Sequence, residues 1–143
     1  MPRRGHACRT TLESAVCGEM ARADLAHEHR SLRFRIHEPD GRITKYIPAI
    51  VARRGPILFL VEPVAIARGR TMARLAAFLE QHSPEIVLVL VAPDPLVNRV
   101  PPGAYDEIYP ASGISRLAAR IQAQDPEGLV RPFPKPRARD TPK

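Results

Sequence analysis

The sequence predicts an α/β fold in which a mixed β-sheet is flanked by helices. Residues 57–61 and 85–91 are apolar at almost every position, which is typical of strands buried on both faces of a sheet. Between them, residues 71–81 place apolar side chains at the 3.6-residue spacing of a helix. A strand, a crossover helix and a second strand form a βαβ unit, so the two strands should be parallel.

A first helix is predicted from Thr11 to Ala26, because apolar residues recur at helical spacing there. Thr10 precedes this helix and Glu13 follows three residues later, which is the pattern of a capping box. In that motif the threonine oxygen accepts one free backbone N–H and the glutamate accepts another. Glu13 therefore has a purely structural interpretation, which stands beside a second one given below.

Three strands are predicted to follow as an antiparallel meander. Residues 29–37 alternate between apolar and polar, and the Pro-Asp-Gly sequence at 39–41 predicts a turn. Residues 42–52 and 57–64 are rich in β-branched residues and are separated by an Arg-Arg-Gly-Pro break, so they should form a hairpin. The apolar second strand carries one acidic residue, Glu62, at its end.

After residue 94 the proline-rich sequence predicts a loop, then a short strand at 105–109 and a final helix capped by Ser112. Thr71 is the expected cap of the crossover helix. The final helix should pack through aliphatic residues and expose Arg116 and Arg120. The predicted organisation is a basic arm at residues 1–9, one domain at 10–124 and a Pro- and Arg-rich disordered tail at 125–143.

Composition favours a polyanionic partner. The 143 residues include 22 Lys and Arg against 15 Asp and Glu, giving a net charge of +7, and arginine suits phosphate binding. No apolar run reaches the ~18 residues that a transmembrane helix needs, and no signal-peptide core follows the basic N-terminus. The protein is therefore expected to be cytoplasmic and not membrane-bound.

The two cysteines, Cys8 and Cys17, are nine residues apart and lie near His6, His27 and His29. Zinc sites usually show a closer ligand spacing, so the sequence favours two ordinary reduced thiols over a metal site.

The hairpin resembles the PD-(D/E)XK nuclease superfamily, and most closely the N-terminal domain of TnsA-type transposon endonucleases. The resemblance rests on the Tyr46-Ile47-Pro48 run and on Val61-Glu62, and it extends over about residues 10–91. It implies a restriction-endonuclease-like fold, and an active member would need Mg²⁺. In that family an Asp on the first hairpin strand and the Glu on the second hold a divalent metal, and a Lys two residues later assists the attacking water.

Two of these three catalytic positions are replaced. Ala49 stands where the family has Asp, and Val64 stands where it has Lys. The resemblance gives Glu13 a second interpretation as a metal ligand beside Glu62. Lys45 lies four residues before Ala49, about 13 Å away along an extended strand, so it is not expected to replace the missing lysine.

We therefore expect a nuclease-like protein that has lost catalysis, needs no cofactor and binds duplex or branched DNA. The alternatives are an active endonuclease with migrated catalytic residues, supplied by Arg68 or Arg70, and a non-enzymatic assembly subunit that binds a protein through its Pro-rich tail. A homodimer is another partner to test. The expected DNA-binding residues are arginines of the strands, the hairpin turn and the crossover helix: Arg33, Arg35, Arg53, Arg54, Arg68, Arg70 and Arg74.

Overall fold

Two apolar strands, β5 (Ile57–Pro63) and β6 (Ile86–Ala92), form the centre of the main sheet. The computed structural model describes residues 8–82 and 84–124. The two strands are parallel, with Leu60 opposite Leu88, as the βαβ pattern predicts. Each is buried along nearly its whole length because helices cover both faces of the sheet.

The remaining elements follow in chain order. They are α1 (Thr11–Arg22), β1 (Glu28–His29), β2 (Phe34–His37), β3 (Ile43–Tyr46), β4 (Ile50–Arg54), α2 (Gly69–Gln81), β7 (Glu107–Pro110) and α3 (Ile114–Gln122), with short 3-10 turns at 94–99, 102–104 and 111–113. The main sheet has the order β1-β4-β5-β6-β7, and β2 pairs with β3 in a separate two-stranded sheet. The predicted α/β class, a mixed sheet flanked by helices, is confirmed.

The main sheet separates two apolar cores. On one face, α1 and α3 pack against residues such as Phe59 and Val61 of β5. On the other face, α2 and the β2–β3 ribbon (residues 34–46) pack against Leu58 and Leu60. This alternation along β5 follows from the two-residue period of a strand, and it directs Glu62 toward the α2 face.

The predicted three-stranded meander is wrong. The segment 42–52 is divided at the buried Pro48 into β3 and β4, which belong to different sheets. The segment 29–37 is also divided, since Arg30 adopts a left-handed backbone conformation with φ of 53°. His29 pairs with Ile50 of β4, while Phe34 pairs with Tyr46 of β3. Because the strands are interrupted at these two points, the β2–β3 ribbon leaves the main sheet and packs against α2.

Several boundaries and caps also differ from the predictions. Helix α1 ends at Arg22 because Asp24 is left-handed, with φ of 59°. No side chain caps α2 or α3, so Thr71 and Ser112 do not act as predicted, and the backbone N–H of Ser112 donates to Asp94. Arg120 is buried rather than exposed, since its Nε donates to Glu107 at 3.0 Å.

Within residues 8–82 and 84–124, no helix combines the length and apolarity required to span a bilayer. The predicted basic arm at 1–9 falls largely outside the described residues, and the predicted tail at 125–143 falls entirely outside them.

Candidate functional site

Glu62 lies at the end of β5 beside Ala49, as the sequence predicts. Its Oε1 accepts hydrogen bonds from the Tyr46 hydroxyl at 2.9 Å and from the Ala49 backbone N–H at 3.1 Å. Burial raises the pKa of Glu62 to about 7, although these two hydrogen bonds act in the opposite direction. Both donors are neutral, so they satisfy the oxygen without supplying a full positive charge.

Glu13 is in the first turn of α1, and its residue surface is 2 % exposed. The predicted capping interaction is present on one side, since Thr10 Oγ1 accepts from the Glu13 N–H at 3.0 Å. The carboxylate reaches back to the N–H of Arg9 at 3.1 Å rather than to that of Thr10. Capping is therefore one role of Glu13, but not the only one.

The Glu13 carboxylate also binds two side chains from the segment after β1. Its Oε2 accepts from His29 Nδ1 at 2.7 Å, and its Oε1 accepts from Arg30 at 2.5 Å. Burial alone would raise the pKa of Glu13, but the hydrogen bonds from Arg30, His29 and the Arg9 N–H outweigh it and hold the pKa below its usual value.

Arg30 pairs with Glu13 and also lies near Glu62, the second carboxylate that the sequence singled out. Its backbone N–H donates to the Ala49 carbonyl at 3.2 Å, which places it beside the residue next to Glu62. Its positive charge lowers the pKa of Glu62, while the charge of Glu13 raises it. The charges of Glu13 and Arg30 are therefore close enough to affect the ionisation of Glu62. No sequence pattern pointed to Arg30, because its role depends on a left-handed backbone conformation at that position.

These residues do not fit the Mg²⁺ site that the resemblance implies. Both oxygens of Glu13 and one oxygen of Glu62 accept hydrogen bonds from protein donors, and Mg²⁺ needs several oxygen ligands with near-ideal geometry. Ala49 offers no side-chain ligand. Val64 is 5 % exposed and apolar, so the position of the family lysine is part of the core.

A cavity of about 210 Å³ opens beside Glu62 on the α2 face of the sheet. It is lined by Lys45 and Tyr46 of β3, Glu62 of β5, and Thr71 and Arg74 of α2, among others. The prediction that Lys45 lies far from the site assumed one continuous strand from 42 to 52. Because the strand is interrupted at Pro48, Lys45 and Glu62 line the same cavity.

The seven predicted DNA-binding arginines fall into two groups. Arg54 donates to the carbonyl of Gln122 at the end of α3 and to that of Gln124 just after it, and Arg74 Nε lies 3.8 Å from Glu38, so these two arginines have partners inside the protein. The other five are exposed and form no ion pair with the described residues: Arg33, Arg35, Arg53, Arg68 and Arg70.

A separate cluster lies where α1 meets β1. Ligand atoms of Cys8, Cys17 and His29 all lie within 4.8 Å of one another, although the sequence favoured ordinary thiols there. The spacing of these residues along the sequence argued against a metal site. In the fold they are close in space nevertheless, because β1 lies beside α1.

Comparisons with protein-family models, with curated proteins and with solved structures found no match for this chain.

Proposed function

We propose that this protein binds duplex or branched DNA through phosphate contacts and does not cleave it. The observation that carries the proposal is the exposed, basic outer surface of the β2–β3 ribbon. Arg35 and Lys45 are directly opposite each other on the two strands, and Arg33 lies just before the ribbon. Like charges in such a cross-strand pair repel each other, and a bound polyanion would relieve that repulsion.

The start of α2 extends this basic surface. Arg68 and Arg70 are exposed at the helix N-terminus, where the first turn contains no acidic residue and has no side-chain cap. Positive side chains are unfavourable at this end of a helix dipole, so their presence is not explained by helix stability. Thr71 and Lys45 line the same cavity, so the ribbon and the helix start border one surface.

The proposed absence of cleavage is supported by the site around Glu62. The Glu13 carboxylate already pairs with Arg30 and His29. Glu62 has a pKa of about 7, so Glu62 is only partly ionised at neutral pH. The resemblance to PD-(D/E)XK nucleases suggests an origin for this arrangement. Arg30 now supplies the positive charge beside Glu13 that a metal would provide in an active member.

The DNA-binding proposal is tested by titrating a labelled duplex at several salt concentrations. Each phosphate contact contributes about 0.9 to the slope of log K against log salt, so the Arg33→Ala, Arg35→Ala double variant should lower the slope by about 2. The control is Arg22→Ala, since Arg22 is also exposed but pairs with Glu19 on α1, across the sheet from the ribbon. Weak binding that does not respond to salt would contradict the proposal.

Cleavage is tested separately by incubating the protein with supercoiled and branched DNA in Mg²⁺ or Mn²⁺. We expect no nicking. Cleavage that disappears in the Glu62→Ala variant would show that the active-endonuclease alternative is correct, whatever the result of the binding experiment.

A further inference from the structure

Four side chains with nitrogen or sulfur ligand atoms meet at the junction of α1 and β1. Cys8 precedes the helix, Cys17 is in its second turn, and His29 is in β1. Their ligand atoms lie within 4.8 Å of one another. His27 joins them from the preceding segment, with its Nε2 3.2 Å from Cys17 Sγ.

These separations are close to those of a tetrahedral zinc site. With Zn–S of about 2.3 Å and Zn–N of about 2.1 Å, neighbouring ligand atoms lie roughly 3.3 to 3.8 Å apart. The Cys17–His27 contact of 3.2 Å is just below this range, and the ligand atoms of Cys8, Cys17 and His29 lie within 4.8 Å of one another, so zinc binding would draw the four atoms together. Two thiolates with two imidazoles are also a ligand set that selects zinc over the harder Mg²⁺ and Ca²⁺.

In both histidines Nδ1 makes a hydrogen bond within the protein, as it does in many metal-binding histidines. His29 Nδ1 donates to the Glu13 carboxylate at 2.7 Å, and His27 Nδ1 donates to the Leu25 carbonyl at 2.9 Å. In each ring this hydrogen bond puts the proton on Nδ1 and makes Nε2 the ligand atom. Carboxylates and backbone carbonyls are the usual partners of metal-binding histidines, and they fix both the tautomer and the ring direction.

We propose that Cys8, Cys17, His27 and His29 bind one zinc ion, with Glu13 and the Leu25 carbonyl as supporting groups. The ion would be structural, because all four ligands come from the protein. It would fasten β1, a strand of only two residues at the edge of the sheet, to α1. It also explains why Glu13 is buried with a histidine and an arginine. This proposal is independent of DNA binding.

The direct test is metal analysis of the full chain purified without chelators. We expect about one zinc per chain. After zinc removal, titration with Co²⁺ should give the intense visible absorption of a tetrahedral site together with thiolate-to-cobalt charge transfer. Absence of stoichiometric zinc, or a cobalt spectrum without thiolate bands, would overturn the proposal.

Variants identify the ligands. Cys8→Ser, Cys17→Ser and His29→Asn should each abolish the tetrahedral cobalt spectrum or weaken zinc binding by at least a hundredfold, measured by competition with a chelating dye. Glu13→Gln should weaken it 10- to 100-fold through the orientation of His29. The matched control is His37→Asn, which alters an exposed histidine in β2 and should leave zinc affinity unchanged.

A measurement on the unaltered protein covers the case in which a variant does not fold. Bound zinc should protect both thiols from alkylation, and a chelator should expose them. If the cysteines prove to be joined in a disulfide in the purified protein, or if they react equally fast with and without zinc, the proposal is wrong.

Discussion

Glu13 and Glu62 occupy two regions of the molecule, the first turn of α1 and the end of β5, and their pKa values move in opposite directions. Glu13 is held below its usual pKa because an arginine, a histidine and a backbone N–H all donate to it. Burial raises the pKa of Glu62 to about 7, because its two donors, a tyrosine hydroxyl and a backbone N–H, are neutral and offset only part of that effect. The two pKa values therefore differ in step with the partners: Glu13 accepts from a cationic side chain, whereas Glu62 accepts from two neutral groups.

This difference decides what each carboxylate can do chemically. Glu13 acts as a fixed anion in an internal network, whereas Glu62 can carry a proton near neutral pH. Neither presents the pair of accessible, fully ionised carboxylates that a hard divalent cation favours.

The largest predicted effect comes from removing the Glu13 carboxylate. Glu13→Ala leaves His29, Arg30 and the Arg9 N–H without their acceptor, and breaking a buried ion pair typically costs about 3 to 5 kcal/mol of unfolding free energy. Urea denaturation in the presence of a chelator measures this loss without a contribution from metal binding.

Glu19→Ala is the control for that experiment, because Glu19 is in the same helix but pairs with Arg22 at the surface. Its removal should cost less than about 1 kcal/mol. Equal losses in the two variants would mean that the Glu13 network contributes no more than a surface ion pair.

Replacing Glu62 with Gln is predicted to have a smaller effect of opposite sign, an increase in the unfolding free energy. Its pKa is higher in the folded protein than the usual 4.5, so the folded state binds the proton more tightly and stability falls as pH rises from about 4.5 to about 7. The neutral Glu62→Gln side chain avoids this loss. The variant should be more stable than the unaltered protein at pH 8, by up to about 3 kcal/mol, and the gap should disappear near pH 4.5.

Denaturation of both proteins between pH 4.5 and 8 measures this gap. Glu28→Gln replaces an exposed carboxylate of β1 and controls for the general effect of removing a charge. A gap that stays constant with pH would show that Glu62 does not titrate in this range.

The smallest effect concerns the helix cap that holds Glu13 in place. Thr10→Ala removes the oxygen that accepts the Glu13 N–H, and the loss of such a cap costs about 1 kcal/mol. Thr10→Ser retains the acceptor and should restore most of the stability. Thermal denaturation of the three proteins provides the comparison, and a serine variant as unstable as the alanine variant would argue against the cap.

The local patterns of the sequence were sufficient for much of the fold. The apolar runs at 57–61 and 85–91 predicted the two central parallel strands, because a strand buried on both faces needs apolar residues at every position. The position of Glu62 beside Ala49 at the end of β5 was also predictable, since the turn of a hairpin sets which residues of its two strands are paired. Thr10 and the Pro-Asp-Gly turn act over three or four residues, a distance that sequence patterns describe well.

The sequence by itself determined the α/β class, the central strands, the position of Glu62 and the cap of α1, all of which depend on near neighbours in the chain. Only the tertiary structure decided that β3 and β4 part at Pro48, which brings Lys45 to the cavity beside Glu62. It also decided that Arg30 pairs with Glu13 close enough to influence Glu62, and that Cys8 lies near Cys17 and His29. These contacts link residues 9 to 32 positions apart, and their energies come from burial and charge pairing that form only when distant segments pack together.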